Sequence, residues 1–332
     1  MQTIAATRAP ENVMRLVCEA KRILAVTHEN PDGDAMGSLA AFGAITLKLG
    51  IQTRLYCPSA IPRHLAWLAM PHPLLHSLED KGWMPDLVVF LDCADEDRAG
   101  RNAAAYALQA RDRGIHTLCI DHHASNRGFA DTNWVRPSAC ATGILVAALA
   151  RDLGMPLTGE LGEAVYLSVT SDTGSFTYGN TTAEALVLAA EIIAAGFSVA
   201  EFTQKSENNW SLARMHLWGY LMAEVTLQCQ GQLVVSIVPE ETLRRFNVPE
   251  TDLEGYASWL RRLEGVKVAL LARPGGKGTK ISLRSMGDVD VQAVATQFGG
   301  GGHAGAAGLD MPESPESAVE KVRLAIQQAL GQ

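Results

Sequence analysis

The first two hundred residues alternate short apolar runs with longer stretches of helical pattern. Short apolar runs predict β-strands, at 22–27, 53–57, 87–91 and 117–120. The helical pattern predicts helices at 35–49, 139–153, 161–171 and 182–195. Strands that alternate with helices are typical of βαβ units, in which helices cover both faces of a parallel sheet. We therefore expect an α/β fold, in which a larger N-terminal domain has a mostly parallel, doubly wound sheet.

The pattern changes after about residue 197, where the chain becomes more polar and aromatic. A chain of 332 residues exceeds the usual size of one domain. We place the larger domain at 1–198, a linker at 199–222 and a smaller domain at 223–332. Strands predicted at 225–228, 233–238, 266–272 and 280–284, with a helix at 289–298, indicate a second α/β domain with a mixed sheet. The run Pro274–Gly278 predicts a hairpin connection.

Acidic and imidazole side chains follow three of the predicted strands. They are His28, Asp32 and Asp34 after the first strand, Asp92 after the third, and Asp121, His122 and His123 after the fourth. In an open α/β sheet, ligands bind beyond the carboxyl ends of the strands, where the connecting loops converge. We therefore expect these side chains to gather at one edge of the sheet. Asp172, in the run Thr170–Gly174, is a further candidate for the same cluster.

Several carboxylates in one pocket repel one another unless divalent cations neutralise them. A donor set of carboxylates and imidazoles without thiolates suits Mn²⁺ or Mg²⁺, and the imidazoles favour Mn²⁺. The number of donors exceeds the need of one ion and fits a pair about 3.5 to 4 Å apart, the arrangement used in phosphoryl displacement. Hydrolysis of a phosphate ester is therefore the leading reaction class. The simpler alternative, an aspartate that only caps a helix, stays open, above all for Asp172.

The second domain contains a glycine run, Gly299, Gly300, Gly301 and Gly302, followed by His303. Glycine lets the backbone approach a ligand closely, and its N–H groups can hold a phosphate. A flexible linker is the alternative. Arg284 suits bidentate contact with a phosphate at the end of its strand. It belongs to a segment without acidic residues, between Glu264 and Asp288, that predicts either a phosphate-binding patch or a solvated hairpin face; its basic residues are Lys267, Arg273, Lys277, Lys280 and Arg284.

Composition limits the partners of the chain. Its 28 basic and 36 acidic residues give a net charge of −8, so a long nucleic acid would be repelled and short phosphate substrates are expected. Neither an apolar signal-peptide core nor a run of about eighteen apolar residues occurs, so we expect a cytoplasmic protein without a membrane partner. Six cysteines without a Cys-x-x-Cys pair indicate neither a disulfide framework nor a zinc–thiolate site.

The run His28–Asp34, the single Asp92, Asp121–His123, Asp172 and the downstream Gly299–His303 resemble the DHH phosphoesterase superfamily with a DHH-associated C-terminal domain. The likeness spans nearly the whole chain. Within the superfamily it is most similar to bacterial nanoRNases that also act as pAp phosphatases. This resemblance implies a DHH catalytic domain, a substrate-binding second domain and an active site in the cleft between them.

The resemblance also implies roles for individual residues. One Mn²⁺ would be held by His28, Asp32 and Asp92, and a second by Asp34, Asp92, His122 and Asp172. His123 would orient the site or assist proton transfer beside the shared Asp92, and Asp121 would support the histidines. Arg284 and the Gly299–His303 loop would hold the terminal phosphate of the substrate. Segment 138–142 has fewer hydroxyl side chains than we expect in relatives, a departure that we expect to affect only local substrate contacts.

The activity implied by the resemblance is Mn²⁺-dependent hydrolysis of very short RNA fragments and dinucleotides to mononucleotides, and of pAp to AMP. A homodimer is also plausible from the resemblance. Two alternatives stay open: hydrolysis of linear pGpG or pApA as the main task, and a nucleotide sensor without catalysis. The Gly299–His303 loop argues against an inorganic pyrophosphatase. The acidic net charge and the lack of added domains argue against a long-strand exonuclease.

Overall fold

A computed structural model describes residues 6–78, 82–208, 210–276 and 278–331. The chain forms two compact units, 1–209 and 210–332. The division falls inside the segment 199–222, which we expected to be a linker. This segment contains two helices, α7 (Val199–Ser206) at the end of the first unit and α8 (Leu212–Ala223) at the start of the second.

The first unit contains a six-stranded sheet in which all neighbouring strands are parallel. Its strands are β1 (Arg22–Val26), β2 (Gln52–Tyr56), β3 (Leu74–Leu75), β4 (Leu87–Leu91), β5 (His116–Asp121) and β6 (Thr132–Val135). Their order is β3-β2-β1-β4-β5-β6, so the direction of strand addition reverses between β1 and β4. The predicted parallel α/β fold is confirmed. The crevice beyond the carboxyl ends of β1 and β4 is where such a sheet places its ligands.

Helices cover both faces of this sheet, as its two separate apolar cores show. The remaining helices of the unit are α1 (Glu11–Glu19), α2 (Gly33–Lys48), α3 (Arg101–Asp112), α4 (Thr142–Asp152), α5 (Gly159–Asp172) and α6 (Ala183–Ala194). Helices α2, α4 and α5 contribute to one core, and α3 contributes to the other. Helix α4 begins three residues later than predicted, because Ala141 is extended (φ −161°, ψ 153°).

Helices α2 and α5 pack at very short range. A Cβ atom on Gly37 would lie 2.5 Å from the carbonyl oxygen of Ala164, so only glycine permits this approach. The contact places the first turn of α2 against the middle of α5. Polar side chains of the two helices, Asp34 and Ser168, therefore meet in the interior of the unit.

The second unit has a six-stranded mixed sheet of order β11-β12-β10-β9-β8-β7. Its strands are β7 (Thr226–Gln228), β8 (Leu233–Ile237), β9 (Val268–Gly275), β10 (Gly278–Ser285), β11 (Gly301–His303) and β12 (Ala306–Met311). Strands β8 and β9 are parallel and the other pairs are antiparallel, which confirms the predicted mixed sheet. Besides α8, its helices are α9 (Glu240–Phe246), α10 (Tyr256–Leu260), α11 (Val291–Thr296) and α12 (Pro315–Ala329).

Two sequence predictions concern loops of this unit. The hairpin between β9 and β10 is confirmed, because Gly275 pairs with Gly278 across it; Lys277 lies outside the described residues. The glycine run is not a flexible linker, since Gly301–His303 form β11 and pair with β12.

All six cysteines are free, which agrees with the absence of a disulfide framework expected from their spacing. Within the described ranges, no single helix is long and apolar enough to cross a membrane. Helices α6 and α7, which meet at a bend of 107°, are together long and apolar enough by length and composition only.

Candidate active site

The loop between β1 and α2 carries the first group of predicted site residues. His28 lies two residues after β1 and is buried. Asp32 is the N-cap of α2, and its Oδ1 accepts hydrogen bonds from the backbone N–H groups of Asp34 and Ala35, each at 3.0 Å. Asp32 therefore has the capping role that an isolated aspartate predicts, while the cap also turns Asp34 into the interior.

Asp92 follows β4 directly and is buried at the centre of the site. Its backbone is left-handed, with φ +59°, a conformation that residues other than glycine rarely adopt. The backbone N–H of Asp92 donates to the carbonyl oxygen of Ile120 at 3.1 Å, which holds this conformation in place. Backbone strain that the surrounding structure maintains is often associated with a functional site.

The two carboxylate oxygens of Asp92 face different histidines. Oδ2 lies 3.5 Å from Nε2 of His28. Oδ1 lies 3.6 Å from Nε2 of His122 and 3.6 Å from Nδ1 of His123. Asp92 thus stands between the His28 loop and the histidines that follow β5.

Each of the three histidines uses Nδ1 for a contact within the protein. Nδ1 of His28 lies 2.8 Å from the carbonyl oxygen of Glu29, and that of His122 lies 3.2 Å from the carbonyl oxygen of Ala139. Nδ1 of His123 lies 2.7 Å from Oδ1 of Asp121. These oxygens accept a hydrogen bond, so Nδ1 carries the proton in each ring. Nε2 is then the atom through which each imidazole can bind an ion or exchange a proton.

Asp34 is fully buried and accepts hydrogen bonds from four groups. Its Oδ1 accepts from the hydroxyls of Ser38 (3.0 Å) and Ser168 (2.5 Å) and from the backbone N–H of Gly143 (3.2 Å). Its Oδ2 accepts from the backbone N–H of Thr142 at 2.8 Å. Donors from α2, α4 and α5 therefore fix the orientation of this carboxylate.

The structure brings the predicted metal ligands together in groups whose donor atoms lie within 4.8 Å of one another. One group is His28, Asp32 and Asp92, and a second is Asp34, Asp92 and His122. The fourth residue predicted for the second ion, Asp172, places its Oδ2 3.2 Å from Nε2 of His122. Asp92, Asp121 and His123 form a third group. These donors, carboxylates and imidazoles only, could hold divalent cations such as Mn²⁺ or Mg²⁺.

Three carboxylates in a buried space, those of Asp34, Asp92 and Asp172, have shifted pKa values. Burial and the charges of Asp92 and Asp172 raise the pKa of Asp34 well above its usual range. Burial also raises the pKa of Asp172, although its hydrogen bond with His122 acts in the opposite direction. Burial alone would raise the pKa of Asp92, but the hydrogen bond with His28 and the charges of His123 and His122 lower it. These carboxylates therefore lack compensating positive charge, which bound cations could supply.

His122 and His123 supply part of this charge in the metal-free protein. Burial opposes the protonation of His122, yet its hydrogen bond with Asp172 and the charges of Asp34 and Asp92 raise its pKa to about 11. The pKa of His123 is raised against the effect of burial, mainly by the hydrogen bond with Asp121. A bound cation would replace protons held in this way.

Three residues of the site were not among those identified from the sequence: Thr142, Ser168 and Asn126. The hydroxyl of Thr142 donates to Oδ1 of Asp92 at 2.9 Å, and Asn126 Nδ2 donates to Oδ2 of Asp121 at 2.7 Å. Segment 138–142 thus includes a threonine that contacts the carboxylates themselves, while the effect of its few hydroxyl groups on substrate contacts stays a prediction. For Thr142, the only sequence signal was its place in the first turn of the helix predicted at 139–153.

In the second unit, two of the predicted phosphate contacts, Arg284 and His303, share one face of the sheet. Arg284 on β10 and His303 on β11 lie directly opposite Ala306 of the intervening strand β12. Directly opposed residues share a face, so both side chains flank this alanine. The next row on the same face contains the small residues Gly301, Gly308 and Ser282, which leave space beside the row of Arg284 and His303.

The glycine run has a structural requirement of its own. At Gly302, φ is +137° and a Cβ atom would lie 2.4 Å from the carbonyl oxygen of Ala306. A Cβ atom on Gly301 would meet nothing within 4 Å. Close pairing of β11 with β12 therefore requires glycine at position 302. Packing does not require glycine at position 301.

The basic segment is neither uniformly solvated nor free of acidic neighbours. Arg273 forms an ion pair with Glu250, and cross-strand pairing places Lys280 between Arg273 and Asp310. Burial, together with the charge of Arg273, lowers the pKa of Lys280. Lys267 is exposed. The solvated alternative thus applies to Lys267 but not to Arg273 or Lys280.

A cavity of about 490 Å³ opens beside the His28 loop in the first unit. It is lined by Glu29, Tyr56, Pro58, Asp97, Gly100, Arg101 and Asn102. The Tyr56 hydroxyl is buried and has no hydrogen-bond partner among the residues that the structure describes. The volume is in the range of small-molecule sites, which span about 300 to 1,000 Å³.

Comparison with known proteins agrees with this architecture. Residues 22–169 match the DHH family, N-terminal domain, and residues 230–332 match the DHHA1 domain. A crystal structure of an exopolyphosphatase-related protein from Bacteroides fragilis superposes with a TM-score of 0.87 and 24% identity, covering 96% of this chain and 95% of that one. This likeness shows that the two chains share a fold.

Two relatives are similar over most of their length. The bifunctional oligoribonuclease and PAP phosphatase NrnA of Thermus thermophilus is 32% identical over 330 residues, covering 93% of both chains. The Bacillus subtilis protein of the same name is 24% identical over 303 residues, covering 90% of this chain and 92% of the relative. The chain therefore belongs to the DHH phosphoesterase family, in the branch that contains these NrnA proteins, and is a hydrolase of phosphoester bonds.

Proposed function

We propose that this hydrolase is a Mn²⁺-dependent phosphoesterase that converts very short oligoribonucleotides and dinucleotides to mononucleotides and removes the 3′-phosphate of pAp to give AMP. The names of the Thermus and Bacillus relatives include both activities. The observation that carries the proposal is the position of Asp92, with one carboxylate oxygen toward His28 and the other toward His122.

The residues fit a pair of divalent cations. His28, Asp32 and Asp92 would hold one ion, and Asp34, Asp92, His122 and Asp172 would hold the other. Two bound ions supply positive charge to the phosphate oxygens and make a water molecule a stronger nucleophile. Imidazole donors favour Mn²⁺, and Mg²⁺ is the alternative. The support for this assignment is the donor set and the excess of buried negative charge described above.

The protein would contribute orientation and proton transfer. Asp121 accepts from Nδ1 of His123, while Asn126 holds the other oxygen of Asp121. This pair of contacts fixes the imidazole of His123 with its Nε2 turned away from Asp121. We propose that Nε2 of His123 holds a proton near the reacting phosphate and gives it to the leaving oxygen.

We propose that Arg284 and His303, with the backbone of Gly299, Gly300, Gly301 and Gly302, hold a terminal phosphate. The space left by the small residues beside Arg284 and His303 supports this role. In the first unit, Glu29 and Asp97 line the cavity beside the His28 loop. Their carboxylates suit a nucleoside in this cavity better than a phosphate.

The test is hydrolysis by the purified protein with Mn²⁺ of three substrates: pAp, a 5′-phosphorylated diribonucleotide and a long single-stranded RNA. We expect rapid loss of the first two and little loss of the third, because the net charge of −8 disfavours a long polyanion. Asp92→Asn is the inactive control, since asparagine tolerates a left-handed backbone. Light scattering of the same sample tests the homodimer implied by the resemblance.

Each outcome of this assay has a distinct meaning. Hydrolysis of the short substrates ranks the two activities. Preferential hydrolysis of the long strand would contradict the proposed substrate range. Inactivity toward all three substrates, with Mn²⁺ bound, would favour the alternative of a nucleotide sensor.

A further inference from the structure

Thr142 contacts two carboxylates through two different groups. Its backbone N–H donates to Oδ2 of Asp34 at 2.8 Å, and its side-chain hydroxyl donates to Oδ1 of Asp92 at 2.9 Å. Asp34 lies on α2 and Asp92 follows β4, so these carboxylates come from separate parts of the chain. Thr142 is fully buried and joins them from the first residue of α4.

The oxygens that Thr142 contacts are the same ones that face His122. Oδ2 of Asp34 lies 3.5 Å from Nε2 of His122, and Oδ1 of Asp92 lies 3.6 Å from the same nitrogen. Thr142 therefore holds one oxygen of each carboxylate toward this imidazole, in the case of Asp34 together with Ser38, Gly143 and Ser168. Rotation of either carboxylate would break a hydrogen bond to Thr142.

Helix capping does not explain the hydroxyl. The N-cap residue of α4 is Ala141, which has no side-chain cap, and the Thr142 hydroxyl donates to a carboxylate outside its own helix. Valine has the same shape without the hydroxyl, so packing alone does not require threonine here. What the hydroxyl adds to this shape is the hydrogen bond with Asp92.

We infer that Thr142 is a positioning residue that orients Asp34 and Asp92 together, so that both carboxylates and His122 are arranged for one divalent cation. The inference rests on the proposed function, because it assumes that this group of residues binds such an ion. A neighbouring group that orients metal ligands typically changes metal affinity by about 10- to 100-fold when it is removed. Thr142 would act through the carboxylates and need not touch the substrate.

The test is Mn²⁺ titration of the purified full-length protein, with free Mn²⁺ followed by electron paramagnetic resonance. Thr142→Val removes the hydroxyl and keeps the shape, and Thr142→Ser keeps the hydroxyl and removes a methyl group. Thr53→Val is the matched control, since Thr53 is a buried threonine whose hydroxyl, among the described residues, hydrogen-bonds only to the carbonyl oxygen of Ile51, at 3.4 Å. Thermal unfolding of each metal-free variant verifies that it is folded.

We expect wild type, Thr142→Ser and Thr53→Val to bind Mn²⁺ with similar affinity, and Thr142→Val to bind at least one ion about 10-fold more weakly. Equal affinity of wild type and folded Thr142→Val would overturn this inference alone. If Thr142→Val does not fold, loss of Mn²⁺ affinity in Thr142→Ala with retention in Thr142→Ser supports it, and equal affinity in both overturns it. Wild-type protein that binds no Mn²⁺ would overturn the proposed function as well.

Discussion

The hydroxyl of Ser168 on α5 donates a hydrogen bond to Oδ1 of Asp34 on α2, across the short-range contact between the two helices. Both side chains are fully buried. Ser168 also accepts from the backbone N–H of Gly143, at 2.9 Å, so it connects α2, α4 and α5 at one point. The interior of the first unit thus holds a carboxylate whose orientation depends on helix packing.

Removal of the Ser168 hydroxyl tests this relationship. We expect Ser168→Ala to lower the free energy of unfolding by about 1 to 3 kcal/mol, the usual loss when a buried polar group is left without its hydrogen-bond partner. We also expect Mn²⁺ affinity to fall about 10-fold, because Asp34 becomes less well oriented. Urea unfolding with and without Mn²⁺ measures both effects.

Thr53→Val serves again as the control, since it removes a buried hydroxyl that, within the described part of the chain, hydrogen-bonds only to a backbone carbonyl in the same unit. Equal Mn²⁺ affinity of Ser168→Ala and Thr53→Val would show that Ser168 has a purely structural role.

The left-handed backbone of Asp92 leads to a second prediction. Both Asp92→Asn and Asp92→Ala should lose Mn²⁺-dependent hydrolysis, since each removes the charge between His28 and His122. Asparagine tolerates φ near +59°, whereas alanine does so at a cost of about 1 to 2 kcal/mol. We therefore expect Asp92→Ala to be less stable than Asp92→Asn by about that amount in urea unfolding. Equal stability would show that the backbone relaxes in one of the variants.

Mn²⁺ binding should release protons from the cluster. A pKa of His122 raised to about 11 means that this imidazole is protonated in the metal-free protein at neutral pH. Binding of an ion through Nε2 requires the neutral imidazole, so affinity should rise from about pH 6 to about pH 9. Isothermal titration calorimetry in two buffers of different ionisation enthalpy counts the protons released.

His122→Gln provides the comparison, because it lacks the titrating ring. This variant should release fewer protons per Mn²⁺ bound than the wild type. The same proton count in both proteins would place the released proton on another group.

Stability without metal should have the opposite dependence on pH. A folded-state pKa raised above its unfolded value gives stability that is complete below the unfolded value and is lost as pH rises toward the folded value. For His122 this loss begins near the ordinary histidine pKa of about 6.5 and extends to about 11. Asp34, whose pKa is also raised, acts in the same direction. We expect the metal-free protein to become less stable between about pH 6.5 and pH 9, measured by urea unfolding, and a flat profile would contradict this.

Substitution of two neighbouring glycines in the second unit distinguishes a role in folding from a role in substrate binding. Gly302→Ala should destabilise the protein by at least about 1 to 2 kcal/mol, because its φ is positive and its Cβ atom would meet the carbonyl oxygen of Ala306. Gly301→Ala should leave stability unchanged, since its Cβ atom would meet nothing within 4 Å. On the face that holds Arg284 and His303, however, the added methyl group should raise KM for pAp.

Thermal unfolding and steady-state kinetics of the two variants measure these effects. An unchanged KM in Gly301→Ala would argue that the terminal phosphate does not occupy the space beside Arg284 and His303.

Sequence patterns predict the elements with strong apolar signals. Strand β4, Leu87–Leu91, has the predicted bounds, because it is buried on both faces and every position is apolar. Helix α3 is missing from the prediction because its buried positions, Ala103, Ala107 and Ala110, are small and its sequence is polar overall. The edge strands β3 and β6 are too short to stand out from loop sequence.

The sequence by itself determines that carboxylates and imidazoles follow the strands of a parallel sheet, and this topology requires that they meet at one edge. Only the tertiary structure decides how these groups are oriented. Thr142 and Ser168 contact Asp34 across separations of 108 and 134 residues, through helices α4 and α5. The sequence does not show which carboxylate a serine or threonine will contact, because that depends on how the helices pack.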